Sequence, residues 1–584
     1  MVAEPIAGWF FPGRGRAGGP SEVRPPRPAP SNPGKNKGTG LGSRVGVVPS
    51  LSVRVSLPVL YWRFANQTVS KVLNGGFKIH HDIIQPIETD GGDMEFINGE
   101  NRNQTLLMPE SVEDYVGDNN AIRVIDAYIH NLNLINMGFT GAELKGTGRP
   151  PYDPKDLLKL YVYGYMNRIR SSRRLETETK RNLEVIWLLG RLSPDHKTIA
   201  RFRHDNAAAL KNVFHDFVKV CLKLGLYRKE LVAIDGSKFK AVNSKKRNFT
   251  EEKLKNRLER IDKHIAEYLA ELENIDTEED SAGGERSGEE IKRIISELGE
   301  RKELYQGYVK ELDETGEKQK SLTDPDSRLM TSYGKMDVCY NVQTAVDAKN
   351  KMIVDFKVTN HGNDKNFITP MSSSAKEVMG TETLTVVADG GYESAQDIVT
   401  AMGQGLDVHV AGTDFGICVP ADAGEQAVIR PHRNGRCVYI TERNIALCPM
   451  GNVLYPRFFN RKKGWAIFHN NEACRQCSCK CTTNKIGCFR YQVPMAEADF
   501  SREYNEEGLV VKQIHIAPEK EIVKQRKSIV EHPFGTIKRS MDAAYCLTKG
   551  LCNVGGEFSL TFLAYNLKRA INILGCKGLI EGMA

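Results

Sequence analysis

Nowhere in its 584 residues does the chain hold the roughly 20 uninterrupted apolar residues that a membrane-spanning helix needs. The best stretch, 45–64, is broken by Arg54 and Arg63, so no membrane role is expected. The opening segment lacks a compact apolar core followed by a small-residue cleavage site, which argues against secretion. Charge of one sign is also scarce. A net charge of +8 on a chain of this length permits nucleic acid as a partner, but only local patches could argue for it. A disulfide framework is excluded by a different pattern: the 13 cysteines are odd in number and crowd between 418 and 488. That distribution reads as metal binding in a reducing cytoplasm. With 40% hydrophobic residues the chain can build real cores, and its length predicts roughly three to four domains.

Residues 1–93 differ from the rest. The stretch 11–45 is rich in Gly, Pro, Arg and Ser, a composition that buries too little apolar surface to fold. It reads either as a basic nucleic-acid-binding arm or as spurious upstream translation. Gly91, Gly92 and Asp93 directly precede Met94 and can be encoded by a purine-rich tract resembling a bacterial ribosome-binding site. The authentic start is therefore expected at Met94.

A helical region follows, over 94–228. The Ser111–Asp114 spacing is that of a capping box and opens an apolar-periodic stretch through Val124, Ile125, Tyr128 and Ile129. A second helix is predicted over 156–169, followed by the basic run Arg168, Arg170, Arg173 and Arg174. The segment 193–203 then resembles the second half of a helix-turn-helix. Its recognition helix, starting near Asp195, would aim Lys197, Thr198, Arg201 and Arg203 at a duplex. The competing reading is an ordinary solvated helix face.

The chemistry begins at Leu231–Ile234, a short apolar run ending in Asp235-Gly236, which suits a buried strand presenting an acid at its edge. Two apolar stripes with helical spacing then fill 251–320, an inserted helical hairpin for packing or dimerisation. Strand signals resume at 337–346 and 351–358, separated by a turn. After a helix near 364–378 comes a strand at 383–388 that delivers Asp389 at its carboxyl end. A helix from Ser394, a strand at 408–411 and a helix near 519–540 carrying Glu531 complete the series. This order predicts an α/β fold with a ribonuclease H-like core, in which Asp235, Asp389 and Glu531 come together. Three separated carboxylates and a following lysine, Lys538, point to a metal site acting on phosphate.

At these residues the chain resembles the DDE transposases of bacterial insertion sequences, with an InsH-like amino-terminal domain. The resemblance spans about 94–574. It rests on Asp235-Gly-Ser-Lys-Phe, on Ala388-Asp-Gly-Gly-Tyr, on Val530-Glu-His-Pro-Phe-Gly-Thr-Ile-Lys-Arg, and on Leu563-Ala-Tyr-Asn-Leu-Lys-Arg. It implies that Asp235, Asp389 and Glu531 bind two Mg²⁺ (or Mn²⁺) ions about 4 Å apart, and that Lys538 holds a phosphate near the transposon end. It further implies double-stranded DNA as partner, at the terminal inverted repeats and at the target, and a homodimer to synapse two ends. The related signature places Tyr and Arg where Lys524 and Lys527 stand here, so their roles stay open. The readings from other classes are an inactive or domesticated DNA-binding protein and a stand-alone nuclease.

Between the last core strand and the Glu531 helix lies an insertion, 412–518, basic through Arg430, Arg433, Arg436, Arg457, Arg461, Lys462 and Lys463. Its cysteines offer a zinc half-site, and Cys448, Cys474, Cys477 and Cys481 make the chosen tetrahedral set, with Cys479 the rival for the last place. A cluster of buried thiols without metal is the alternative, because the second Cys-x2-Cys of a full ribbon is missing.

Overall fold

Helices open the described part of the chain. In a computed structural model these residues are 111–143, 150–277, 287–332, 334–421, 427–432, 435–478 and 489–584. The expectations for residues 1–93 lie outside them. The Ser111 capping box forms, with Ser111 N–H donating to Asp114 at 2.9 Å, yet it closes only a single 3-10 turn. Gly117, Asp118 and Asn119 interrupt the chain, and α1 (Ala121–His130) begins afresh with Asn120 as its cap. Then come α2 (Pro154–Met166), α3 (Ser172–Arg181), α4 (Leu183–Leu188), α5 (His196–Asp205) and α6 (Ala209–Lys223). Asp153 and Asp195 cap α2 and α5 through their side chains.

The main sheet starts with β1 (Leu231–Lys240), longer than its apolar run predicts. A small ribbon, β2 (Asn248–Thr250) with β3 (Gln319–Ser321), closes the base of an antiparallel helical pair, α7 (Glu251–Thr277) and α8 (Gly288–Thr315). Arg257 donates to the Tyr305 hydroxyl at 2.7 Å across that pair. The sheet then gains β4 (Arg328–Ser332), β5 (Lys335–Asp347) and β6 (Ile353–Thr359). After α9 (Ile368–Met379) it gains β7 (Leu384–Ala388) and, after α10 (Ala395–Gly403), β8 (Leu406–Val410). Strand order is β5-β1-β7-β8, with β4 and β6 both pairing β5. β5 is antiparallel to β1 and β6, whereas β1, β7 and β8 run parallel.

A two-stranded stalk leads out of this sheet and back. β9 (Phe415–Pro420) pairs antiparallel with β16 (Val511–Ile516), and between them lies a separate six-stranded antiparallel sheet in chain order. Its strands are β10 (Ala427–His432), β11 (Gly435–Ile440), β12 (Ile445–Leu447), β13 (Val453–Asn460), β14 (Trp465–His469) and β15 (Arg490–Pro494), with α11 (Asn471–Gln476) after β14 and α12 (Glu497–Phe500) after β15. Phe468, Phe489 and Tyr491 are buried in its own small core.

The chain ends with α13 (Lys520–Gly535), a π turn at Thr536–Ser540, and α14 (Leu551–Met583), broken at Gly575 where φ is +71°. α14 joins the helical region to the sheet. Phe558 meets Phe239 of β1 with ring centroids 4.7 Å apart, and Phe562 meets Phe356 of β6 at 4.7 Å. Phe356 in turn packs on Phe214 of α6 at 5.4 Å. Gly556 lets α14 approach Ala207 so closely that a Cβ there would stand 2.8 Å from the Ala207 Cα. The sequence motif around Tyr565 and Asn566 is explained by this docking. The Asn566 side chain both accepts from and donates to the Ile353 backbone, and the Tyr565 hydroxyl donates to Lys351 O. No helix of the described residues is long and apolar enough to cross a membrane.

Candidate active site

Register places two of the three acids. The parallel pairing of β1 with β7 ends at Ala233 opposite Val387. Two residues further on each strand stand Asp235 and Asp389, and a period of two puts both side chains on the face that Ala233 and Val387 share. Asp235 is not at a strand end, since β1 continues to Lys240 along β5, with one further bridge from Lys240 to Tyr545. It lies where its neighbour β7 has stopped, which leaves the side chain beside an open notch. Asp389 has one oxygen fixed: Oδ1 accepts from Gly391 N–H at 2.9 Å, while Oδ2 faces the notch.

α13 covers that face. Ile529, Val530 and Phe534 are buried against it, and Phe534 packs on Phe239 at 6.2 Å. The same side of the helix brings Arg526 Nη1 to 3.5 Å from Asp235 Oδ1 and 3.9 Å from Asp389 Oδ2. Burial pushes the Asp235 carboxyl up to about 6, against the pull of Arg526 and with added repulsion from Asp389. Lys538 lies along the same strand, its Nζ donating to Ser237 Oγ at 2.6 Å and to Lys238 O at 3.1 Å. Burial pushes its ammonium below the usual lysine range.

Glu531 does not join the pair. A quarter-turn beyond Val530, its side chain is 65% exposed and faces Lys527 at 3.7 Å. Among the described residues no group of three His, Cys, Asp or Glu is close enough to hold a metal ion. In this conformation Arg526, not Glu531, stands against the two acids. The donor chemistry of Asp235 and Asp389 still suits a hard divalent cation, since two carboxylates already share one cationic partner.

Beneath the floor lies a network that sequence reading missed. On β1 the alternate residues Gly236 and Lys238 face the opposite side of the sheet, beside their β5 partners Gln343 and Asn341. All three side chains there converge on Asp364: Lys238 at 3.0 Å, Asn341 at 2.7 Å and Gln343 at 2.7 Å. Gln343 also accepts from the hydroxyl of Tyr392, in the turn after Asp389. Gly236 is required, because a Cβ would stand 2.6 Å from Asp364 Oδ1. The signal was available: Asn341 and Gln343 are polar residues two apart in the buried, mainly apolar stretch from Val338 to Val346. Arg526 carried no such signal among the basic residues of its helix.

The other predicted positions scatter. Lys197 and Arg201 lie exposed on α5. Arg203 turns inward, donating to the Tyr165 hydroxyl at 3.1 Å and lying over the Tyr161 ring at 5.4 Å. It packs the domain and does not face a duplex, which corrects its assignment. Arg170, part of the basic run, is likewise buried in an ion pair with Glu557 at 3.1 Å. In the insertion, Cys448 Sγ accepts from Met450 N–H at 3.4 Å and Cys474 Sγ from Phe489 N–H at 3.3 Å. Cys477 is half-buried, and Cys479 and Cys481 lie outside the described residues.

Residues 110–205 match the family described as Transposase domain (DUF772), and residues 447–571 match Transposase DDE domain. The first covers α1 to α5, the second Glu531, Lys538 and most of α14. No curated protein matches the chain. Among solved structures a piggyBac transposase synaptic complex with hairpin DNA aligns over 80% of this chain and 78% of that one, at 7% identity and a TM-score of 0.24. So slight a likeness carries no argument. The two domain matches do: a transposase domain and a transposase DDE domain follow one another on a single polypeptide, which supports a DDE transposase.

Proposed function

We propose that the protein binds the terminal inverted repeats of an insertion sequence, cleaves the DNA ends and joins the freed 3′-hydroxyl to target DNA. The observation that carries this reading is the placement of Asp235 and Asp389, two acids on one face of a sheet, beneath a helix that supplies Glu531 and is followed by the π turn bearing Lys538. The β6-β5-β1-β7-β8 order, antiparallel on one side and parallel on the other, supports a ribonuclease H-like core. The helical region with an InsH-like character, 94–228, would hold the ends through Lys197 and Arg201, and 229–584 would carry the chemistry. A homodimer would bring two ends together.

Asp235, Asp389 and Glu531 would hold two Mg²⁺ or Mn²⁺ ions, whose chemistry is to ease deprotonation of the attacking water or hydroxyl and to offset charge on the leaving oxygen. Glu531 has to turn from Lys527 toward the notch to take part. Lys538, on the rim of the same strand, would place a backbone phosphate through its ammonium.

Asp235→Asn is expected to lower strand cleavage of an end-bearing duplex by at least about a thousandfold while end binding, read by gel shift, is kept. Retained cleavage rejects the assignment. Strand transfer with a labelled 3′-hydroxyl end separates a transposase from a nuclease of the same architecture. The outward position of Glu531 favours one second reading, an inactive or domesticated DNA-binding protein, and for that protein wild type would bind ends and cleave none.

A structural zinc in the insertion is proposed on Cys448, Cys474, Cys477 and Cys481. The backbone N–H groups aimed at Cys448 and Cys474 support it, since such bonds favour the thiolate that a metal needs, although burial pushes the Cys448 thiol up. Metal analysis of purified protein should find about one zinc per chain, lost in Cys448→Ser. A zinc-free wild type would leave a cluster of thiols without metal.

A further inference from the structure

We propose that Arg526 is the built-in counter-cation of the unloaded catalytic acids, and that divalent cations enter by displacing it. The inference rests on the reading of Asp235 and Asp389 as metal ligands. Both carboxylates meet the same guanidinium nitrogen, whereas Lys538, whose ammonium also feels the Asp235 charge, is bonded to Ser237 Oγ and Lys238 O. Asp235 and Arg526 are largely buried, with side-chain exposures of 22% and 20%, so the charges act through little solvent. Two carboxylates on one notch without a cation would repel each other.

The contact has the geometry of a placeholder. At 3.5 and 3.9 Å the guanidinium stands off both oxygens, beyond the roughly 2.7–2.9 Å of a charge-assisted hydrogen bond and without the bidentate fork that makes arginine pairs firm. Arg526 also sits on the helix that carries Glu531, five positions before it. Lys527 pairs with Glu531 across a solvated surface, where such contacts contribute little. The neutralising role thus falls on Arg526.

Calorimetric titration of the full chain with Mn²⁺, without DNA, tests this. Arg526→Gln should bind Mn²⁺ roughly tenfold more tightly than wild type, and Arg526→Lys, shorter and unable to bridge both acids, about threefold more tightly. Lys527→Gln should stay within about twofold. In EDTA, Arg526→Gln should melt a few degrees lower, a loss that vanishes when Asp235→Asn and Asp389→Asn are added. Unchanged or weaker Mn²⁺ binding by Arg526→Gln overturns the inference, and Arg526→Lys is read in its place if the Gln variant does not fold. If instead the Asp235→Asn/Asp389→Asn protein binds Mn²⁺ as wild type does, the metal-ligand reading itself fails.

Discussion

Asp235 carries the cost of a buried charge. Its carboxyl titrates near 6 in the folded chain against an ordinary 3.8, because burial opposes the anion more than Arg526 favours it. The folded state therefore binds this proton more tightly than the unfolded one. The resulting stability is complete below the ordinary value of 3.8 and is lost as pH rises through about 6. Asp235→Asn, neutral throughout, should match wild type near pH 4 and exceed it by on the order of 2 kcal/mol above pH 7 in EDTA. Denaturant unfolding at the two pH values checks this, and a difference independent of pH would remove burial as the cause. The residue types of the site were legible from the chain, since acids after apolar runs and a lysine after Glu531 stand out. Arg526 was not, because which face of α13 meets the notch depends on Val530 and Phe534 packing against β1 and β7.

Among the elements, α14 has the largest structural task. Glu557 lies buried in it, pairs with Arg170 from the loop before α3, and accepts from Leu547 N–H and Thr548 N–H at 2.9 and 3.0 Å. Arg170 also donates to Tyr545 O at 2.8 Å. The basic run thus sends one member inward to bind the last helix to the first domain. Glu557→Ala leaves a buried guanidinium without its counter-charge and two backbone donors without acceptors, and should destabilise the protein by about 3–5 kcal/mol. Urea unfolding measures it; a loss below about 1 kcal/mol would mean that water reaches the pair. The helices and strands of the core follow hydrophobic periodicity closely, so their presence was readable. Their limits were not: Ser111 caps a single turn because Gly117 and its neighbours stop the helix, and β1 outruns its apolar stretch because β5 continues to pair with it.

For the molecule as a whole, the boundary placed near residue 228 is not a boundary of packing. Phe214 of the helical region, Phe356 of the sheet and Phe562 of α14 form one aromatic junction, with Phe214 and Phe562 6.5 Å apart. Phe562 is fully buried. Phe562→Ala should cost about 3–5 kcal/mol and shift helical and sheet probes of unfolding together. If the helical region melted separately while the sheet kept its wild-type transition, the shared core would be refuted. The insertion contrasts with this. It is tied to the sheet by the β9–β16 stalk and by one face, where Ile429, Val438, Ile440 and Leu447 join the main core, while Phe468 and Tyr491 on the other face form a core of their own.

The sequence by itself determined the chemistry and its order along the chain: a strand leading to Asp235, a strand leading to Asp389, a helix with Glu531 and Lys538, and a cysteine-bearing insertion before that helix. These depend on local periodicity and on residue types that few other roles explain together. Only the tertiary structure decided what faces what. Strand register set Asp235 beside Asp389, the packed face of α13 put Arg526 between them and left Glu531 against Lys527, and α14 turned Arg170 inward. Such choices depend on contacts between residues far apart in the chain, and no local pattern records them.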